Sequence, residues 1–298
     1  MSIEFVRSLP YDHPFRWDAT PVGGSKLWRP DELGADLALW LDAEDAASIT
    51  LNGTDVAQWD DKSSKGWDVS QSTAASQPAY DATGLNGKPA VDFDTSSKDL
   101  RASNAASDWN FLHNSGGSGV FMVANFDNIA SGILPFFLTR TAVTGLFLRY
   151  RDTDRMNPVI AEDGTIFVNY TSANNSYPSS TDLIFGWQHA SSLSSNAQIY
   201  IDGALESQGN YSVAPVGGFD ADVPLRIGGG AVCRSGEVVV VSVLLSTEDR
   251  ENLEGYLAWH WELEANLPVG HPYASTPPIV AAGTGFNFTA WNFPFLRG

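Results

Sequence analysis

From about residue 35 to residue 245 the chain runs as short apolar stretches separated by clusters of Gly, Ser, Asn and Asp. That pattern predicts an all-β protein. The clearest strands are expected at 90–93, 120–126, 146–150, 166–170, 183–187, 198–201, 225–227 and 238–245. Leu146, Leu148 and Tyr150 alternate with Arg149 and Arg151, and Ile199 and Ile201 alternate with Gln198 and Asp202, so these strands keep one face in water. Val120-Phe-Met-Val-Ala and Val238-Val-Val-Val do not alternate, which predicts central strands covered on both sides. Asp202-Gly203 between Ile201 and Ala204 supplies the two positive φ angles of a tight hairpin.

At Ser246 the period changes. Ser246 followed by acidic residues reads as an N-cap and first helical turn. Leu253, Leu257 and Trp261, flanked by Tyr256, form one apolar stripe of an amphipathic helix that packs on the sheet. Trp259 lies off the stripe and is expected to face the N-terminal arm or a neighbouring subunit. Residues 1–34 carry Pro10, Pro14, Pro21 and Pro30 with Phe5, Tyr11, Phe15, Trp17 and Trp28, the composition of an extended docking arm. Beyond Pro268, Phe286 and Phe288 share one face of an extended segment, and Phe293 and Phe295 repeat the spacing around Trp291. These five rings are the candidate assembly contacts. The division expected is an arm over 1–34, a sandwich over 35–268 and an aromatic arm over 269–298.

Charge narrows the partners. Seventeen Lys and Arg stand against thirty-five Asp and Glu, a formal net charge of -18, and such a surface repels phosphate backbones and anionic lipid, which argues against nucleic acid and membrane as partners. The first ten residues lack an apolar signal core, so synthesis in a reducing cytoplasm without export is expected. The single Cys233 beside the valine run reads as a buried small hydrophobe.

Four stretches resemble a known family. Leu39-Trp-Leu-Asp-Ala43, Gln58-Trp-Asp-Asp-Lys-Ser63, Gln71 to Pro78 and Asn86-Gly-Lys-Pro-Ala-Val-Asp-Phe93 are similar to the opening of a laminin-G-like jelly roll of the concanavalin A-like lectin/glucanase superfamily, in the form found on tailed bacteriophage virions. Ala197 to Gly203, Leu225-Arg-Ile-Gly-Gly229 and the helical block from Leu245 to Trp261 extend the resemblance. It implies an antiparallel β-sandwich with one C-terminal amphipathic helix and extended arms. It also implies a virion structural protein: a capsid decoration or a tail, baseplate or fibre part on the particle surface. Such a part would be made in the host cytoplasm and would pair with other virion proteins and with itself, a trimer being one expected form. The alternative it carries is an adhesin that contacts host surface glycans, with a glycan hydrolase as a further, weaker reading.

The chemistry-bearing residues are sparse. Asp92 with Asp94 and Asp42 with Glu44 share strand faces, but the Glu-x-Asp-x-Glu pattern of hydrolytic relatives is absent, so no catalytic residue is assigned and the chain is expected not to be an enzyme. His13, His113, His189, His260 and His271 have no i, i+4 mate or nearby Cys, so no metal ligand and no cofactor are assigned; calcium is the ion that the resemblance leaves open. Asp108-Trp109-Asn110 and Asn174, Asn175 and Tyr177 combine rings with amides and carboxylates, the composition of sugar contacts.

Overall fold

In a computed structural model the structure describes residues 26–113, 116–127, 132–141, 144–152, 154–162, 165–169, 171–173, 177–190, 197–210 and 221–280, with the backbone alone at 162 and 165–169. The main body runs from Trp28 to Pro278. Outside it, Lys26–Leu27 pairs antiparallel with Ile279–Val280. The rings at Phe286, Phe288, Trp291, Phe293 and Phe295 lie outside the described residues, as does most of the proline-rich arm.

The body is an all-β sandwich with one C-terminal helix, as the alternation predicts. One layer is built from Leu37–Asp42, Cys233–Val241, Ser118–Phe126, Leu183–His189, Ala197–Ile201 and Ala204–Gly209, antiparallel and hydrogen-bonded in that order. The second runs from Ile49–Asn52 through Asp55–Trp59, Val69–Ser70, Asp99–Ala102, Arg226–Gly228, Ile133–Leu138, Gly145–Arg151 and Arg155–Glu162 to Thr165–Asn169. The hairpin of Ala79–Leu85 and Lys88–Phe93 joins the two, because Lys88–Phe93 pairs with the start of the Cys233–Val241 strand. Rings from both layers meet between them: Phe126 stacks on Tyr150 and meets Phe136 edge-on, and Phe136 meets Phe185. Burying such rings is the main driving force for closing the layers, at about 25 cal/mol per Å² of apolar surface.

Ser118–Phe126 is buried at every position and Cys233–Val241 at all but Arg234, as non-alternating strands should be. The Ile201–Ala204 turn has φ of 48° at Asp202 and 78° at Gly203, the primed turn expected there. One detail of the alternation differs. Tyr200 is 7% exposed, although Gln198 and Asp202 suggested a wet face, because the Arg250 guanidinium of the helix covers its ring at 4.3 Å.

The helix spans Thr247–His260, capped by the Ser246 hydroxyl, which accepts from the Asp249 N–H. Leu253, Leu257 and Trp261 are fully buried on the outer face of the first layer. Trp259 turns to its own chain and donates its indole N–H to the Tyr273 carbonyl at 2.8 Å, so neither the arm nor a second subunit is needed to satisfy it. At the foot of the stripe, a Cβ on Gly236 would stand 2.4 Å from the Trp261 ring. Gly236→Ala is therefore expected to cost about 1–3 kcal/mol through overpacking, read as a lower denaturant midpoint at unchanged m.

Candidate functional site

Two places concentrate charge. The first lies under the end of the helix. A register shift between Ser235 and Glu237 puts Glu237 opposite Asp42, with its side chain on the helix side of the sheet. Glu237 is fully buried. Its two carboxylate oxygens accept the indole N–H of Trp40 at 2.6 Å and of Trp261 at 2.7 Å. His260 Nε2 stands 3.6 Å from Asp42, 3.2 Å from Glu44 and 3.9 Å from Glu237, with its ring stacked on Tyr256. Lys62 reaches Asp42 at 2.8 Å and Asp45 at 2.9 Å, while Lys88 reaches Glu44.

Burial pushes the Glu237 carboxyl up to about 7, reinforced by the Asp42 charge, with His260 and the indole donors working against it. Asp42 falls well below the usual carboxylate range: its burial is outweighed by His260 and Lys62. His260 is raised, since the carboxylates of Asp42, Glu237 and Glu44 around it outweigh its own desolvation.

Asp42, Glu237 and His260 offer ligand atoms within 4.8 Å of one another and are, among the described residues, the set that could hold a metal. Calcium favours all-oxygen cages, whereas one donor here is an imidazole and the Lys62 ammonium already sits on Asp42. The arrangement works as a charge-balanced latch between helix and sheet. Along the sequence Asp42 and Glu44 only share a strand face and His260 has no i, i+4 mate; its partners lie far away along the chain, and nothing in the local pattern marks Glu237.

The second place is the outer face of the other layer. Phe147, Arg149 and Arg151 point outward from Gly145–Arg151, opposite Val159, Asn157 and Arg155. The Arg140 and Arg149 guanidinium groups lie 5.4 Å and 5.8 Å from the Phe147 ring centre, within cation–π range. Arg149 Nη2 donates to Asn157 Oδ1 at 2.5 Å, but among the described residues neither its Nε nor that of Arg151 makes a hydrogen bond. Asp152 faces Arg155 at 3.0 Å and Arg151 at 3.9 Å. Desolvation and the neighbouring Arg151 and Arg140 charges bring Arg149 down to about 10: the ring-flanked cations repel one another in a protein that is otherwise strongly acidic.

The expected sugar contacts are placed differently. Trp109 and Tyr177 are fully buried. Trp109 packs against Trp67 and donates to Asn104, and Tyr177 sits among Phe126, Tyr150 and Phe185. Neither ring offers a face to a sugar: both were read as loop aromatics and serve as core. Asp108 accepts from the Ala105 N–H and Asn110 from the Ala221 N–H, so both tie down local backbone. Asn174 and Asn175 lie outside the described residues. Asp92 pairs with Arg234 at 3.4 Å, and burial raises its carboxyl, opposed by Arg234.

No protein-family model and no curated protein matches the sequence. Solved structures do resemble it. The receptor binding domain of botulinum neurotoxin D has a TM-score of 0.52 at 12% identity, over 76% of this chain and 52% of that one. That of the botulinum neurotoxin C/D mosaic serotype has 0.53 at 12%, over 76% and 51%. Trypanosoma rangeli sialidase in complex with the inhibitor DANA has 0.49 at 11%, over 72% of this chain and 32% of that one. The chain thus spans about half or less of the length of these proteins. The two neurotoxin domains share its β-sandwich fold. The expectation that the chain is not an enzyme is corrected: sialidases stand among the similar structures, so the question of activity is open, although the weakness of that likeness gives no argument for sialidase chemistry here. Among the described residues no helix is long and apolar enough to cross a membrane.

The latch makes a pH prediction. Glu237 and His260 bind protons more tightly in the folded chain than in the unfolded one, so the stability they bring is complete below their unfolded values, 4.5 and 6.5, and is lost as pH rises through the folded ones. Asp42 acts in the opposite sense: its contribution is present above 3.8 and is lost only as pH falls toward its depressed value. The latch's share of the melting temperature is expected to fall by several degrees between about pH 5 and pH 8, against buried His189, which burial brings down to about 3 and which adds stability as pH rises. Glu237→Gln should flatten that slope, as measured by calorimetry across the range.

Proposed function

We propose that the chain is a lectin-like binding module that takes up glycan on the outer face of its second layer, and that it is carried as a structural component on the surface of a tailed bacteriophage particle. The observation that carries the binding reading is the half-buried Phe147 ring with the Arg140 and Arg149 guanidinium groups against it, beside the Asn157 amide. A ring for the apolar face of a sugar and directional donors for its hydroxyls are the two elements such a site requires. The opposite face of the sandwich is closed by the helix; on this one Phe147, Arg149 and Arg151 stay partly exposed beside the buried Asn157 and Val159. The neurotoxin structures, named as receptor binding domains, support a binding role for the fold.

The virion reading is supported by the resemblance of the opening strands and of the closing helical block to modules of phage particles. In it, Phe286, Phe288, Trp291, Phe293 and Phe295 dock into neighbouring subunits, the same chain among them. A chain ending at Pro278 is expected to run as a monomer in light scattering where the full chain is an oligomer. Equal sizes would remove the docking role from the tail. For the glycan site, the full chain should bind members of a panel of immobilised bacterial surface polysaccharides. Phe147→Ala should weaken binding about tenfold, equivalent to ~1.4 kcal/mol, without lowering the melting temperature. Unchanged binding by that variant would place the sugar elsewhere.

A further inference from the structure

The binding face is not neutral. Arg140, Arg149, Arg151 and Arg155 gather on neighbouring strands and their connections, against Asp152, which serves Arg155 and Arg151, and Asp222, whose charge acts on Arg140. The chain has about two acids for every base, and the other described arginines take carboxylates: Arg226 and Arg101 share Asp99, Arg234 takes Asp92, Arg250 takes Glu254 and Arg29 takes Asp31. Arg149 breaks that habit. Among the described residues its side-chain partners are a neutral amide and an aromatic ring, and its buried Nε makes no hydrogen bond. A guanidinium that has left water without gaining a carboxylate keeps donors in hand for an incoming anion, and its planar fork fits a carboxylate's two oxygens.

We infer that the site selects acidic saccharide: a uronic acid residue stacks on Phe147 while its carboxylate is taken by Arg149, with Arg151 as the second cation. The inference rests on the glycan-binding reading above and adds the ligand class to it. The overall charge of -18 does not forbid it, because at physiological ionic strength fields are screened over about 8 Å, so a ligand at the face meets the local arginines before the distant acids. The same screening predicts that binding weakens as salt is added.

The test is calorimetric titration of the full chain with hexasaccharides of galacturonic, glucuronic and mannuronic acid, each beside its fully methyl-esterified, uncharged form. Binding of at least one acidic form is expected, about tenfold or more tighter than its ester and weaker as NaCl rises from about 50 to about 300 mM. Arg149→Gln should abolish that preference, Arg149→Lys should keep part of it, and Arg101→Gln, at an exposed arginine already paired with Asp99, should leave it intact. Equal binding of acid and ester, unaffected by Arg149→Gln in a chain that melts like the parent, would overturn the acidic assignment and leave glycan binding standing. No binding to any of the hexasaccharides or to any polysaccharide of the panel would overturn both.

Discussion

The closed side of this sandwich depends on one buried carboxylate. Glu237 sits directly before the run Val238 to Val241, and it is tolerated there because Trp40 from the sheet and Trp261 from the end of the helix each give it an indole N–H. An unpaired carboxylate in that position would cost several kcal/mol. The same pair of bonds fixes the relation of helix to sheet, since Trp261 can reach the oxygen only with the helix seated. Gly236 then leaves room for the ring, and Asp42, His260 and Lys62 balance the charge around it. Removing either tryptophan would leave a stranded acid, which is why the latch acts as a unit and not as separate bonds.

That closure gives the two faces different work. The outer face of the first layer is filled by Leu253, Leu257 and Trp261, with Arg250 covering Tyr200. The outer face of the second layer carries Phe147 among arginines, of which Arg149 has no carboxylate partner among the described residues. A β-sandwich fold does not define a ligand; the proposed one rests on the pairing of the charged residues. In a chain so rich in acids, guanidinium groups held next to one another, one of them without a carboxylate, form a local departure from the composition, and the proposed acidic sugar follows from that departure and not from the fold.

Much of the fold was legible along the sequence. The alternation around Leu146 to Arg151, the valine run at 238, the Asp202-Gly203 turn and the Ser246 cap each depend on residues close together in the chain, so local pattern was enough. The sites were not. Glu237 and Trp40 are brought together from opposite ends of the body, and one acid before an apolar run looks like any strand end. Trp109 and Tyr177 show the converse error: neighbours such as Asp108, Asn174 and Asn175 gave them the look of surface rings, yet a large ring near a loop is as useful to a core as to a ligand. Arg149 and Arg151 were read correctly as the outward half of an alternating strand. What the sequence could not show was that Asp152 would face Arg155 and Arg151 and leave Arg149 to an amide and a ring.

The most direct test of this division between a sealed face and a binding face is amide hydrogen exchange of the full chain with and without a bound acidic oligosaccharide. The account predicts added protection along 133–138, 145–151 and 155–159, with the helix over 247–260 equally slow in both states. Protection that appeared instead on the helix or around 104–113, with the 145–159 hairpin unchanged, would contradict it.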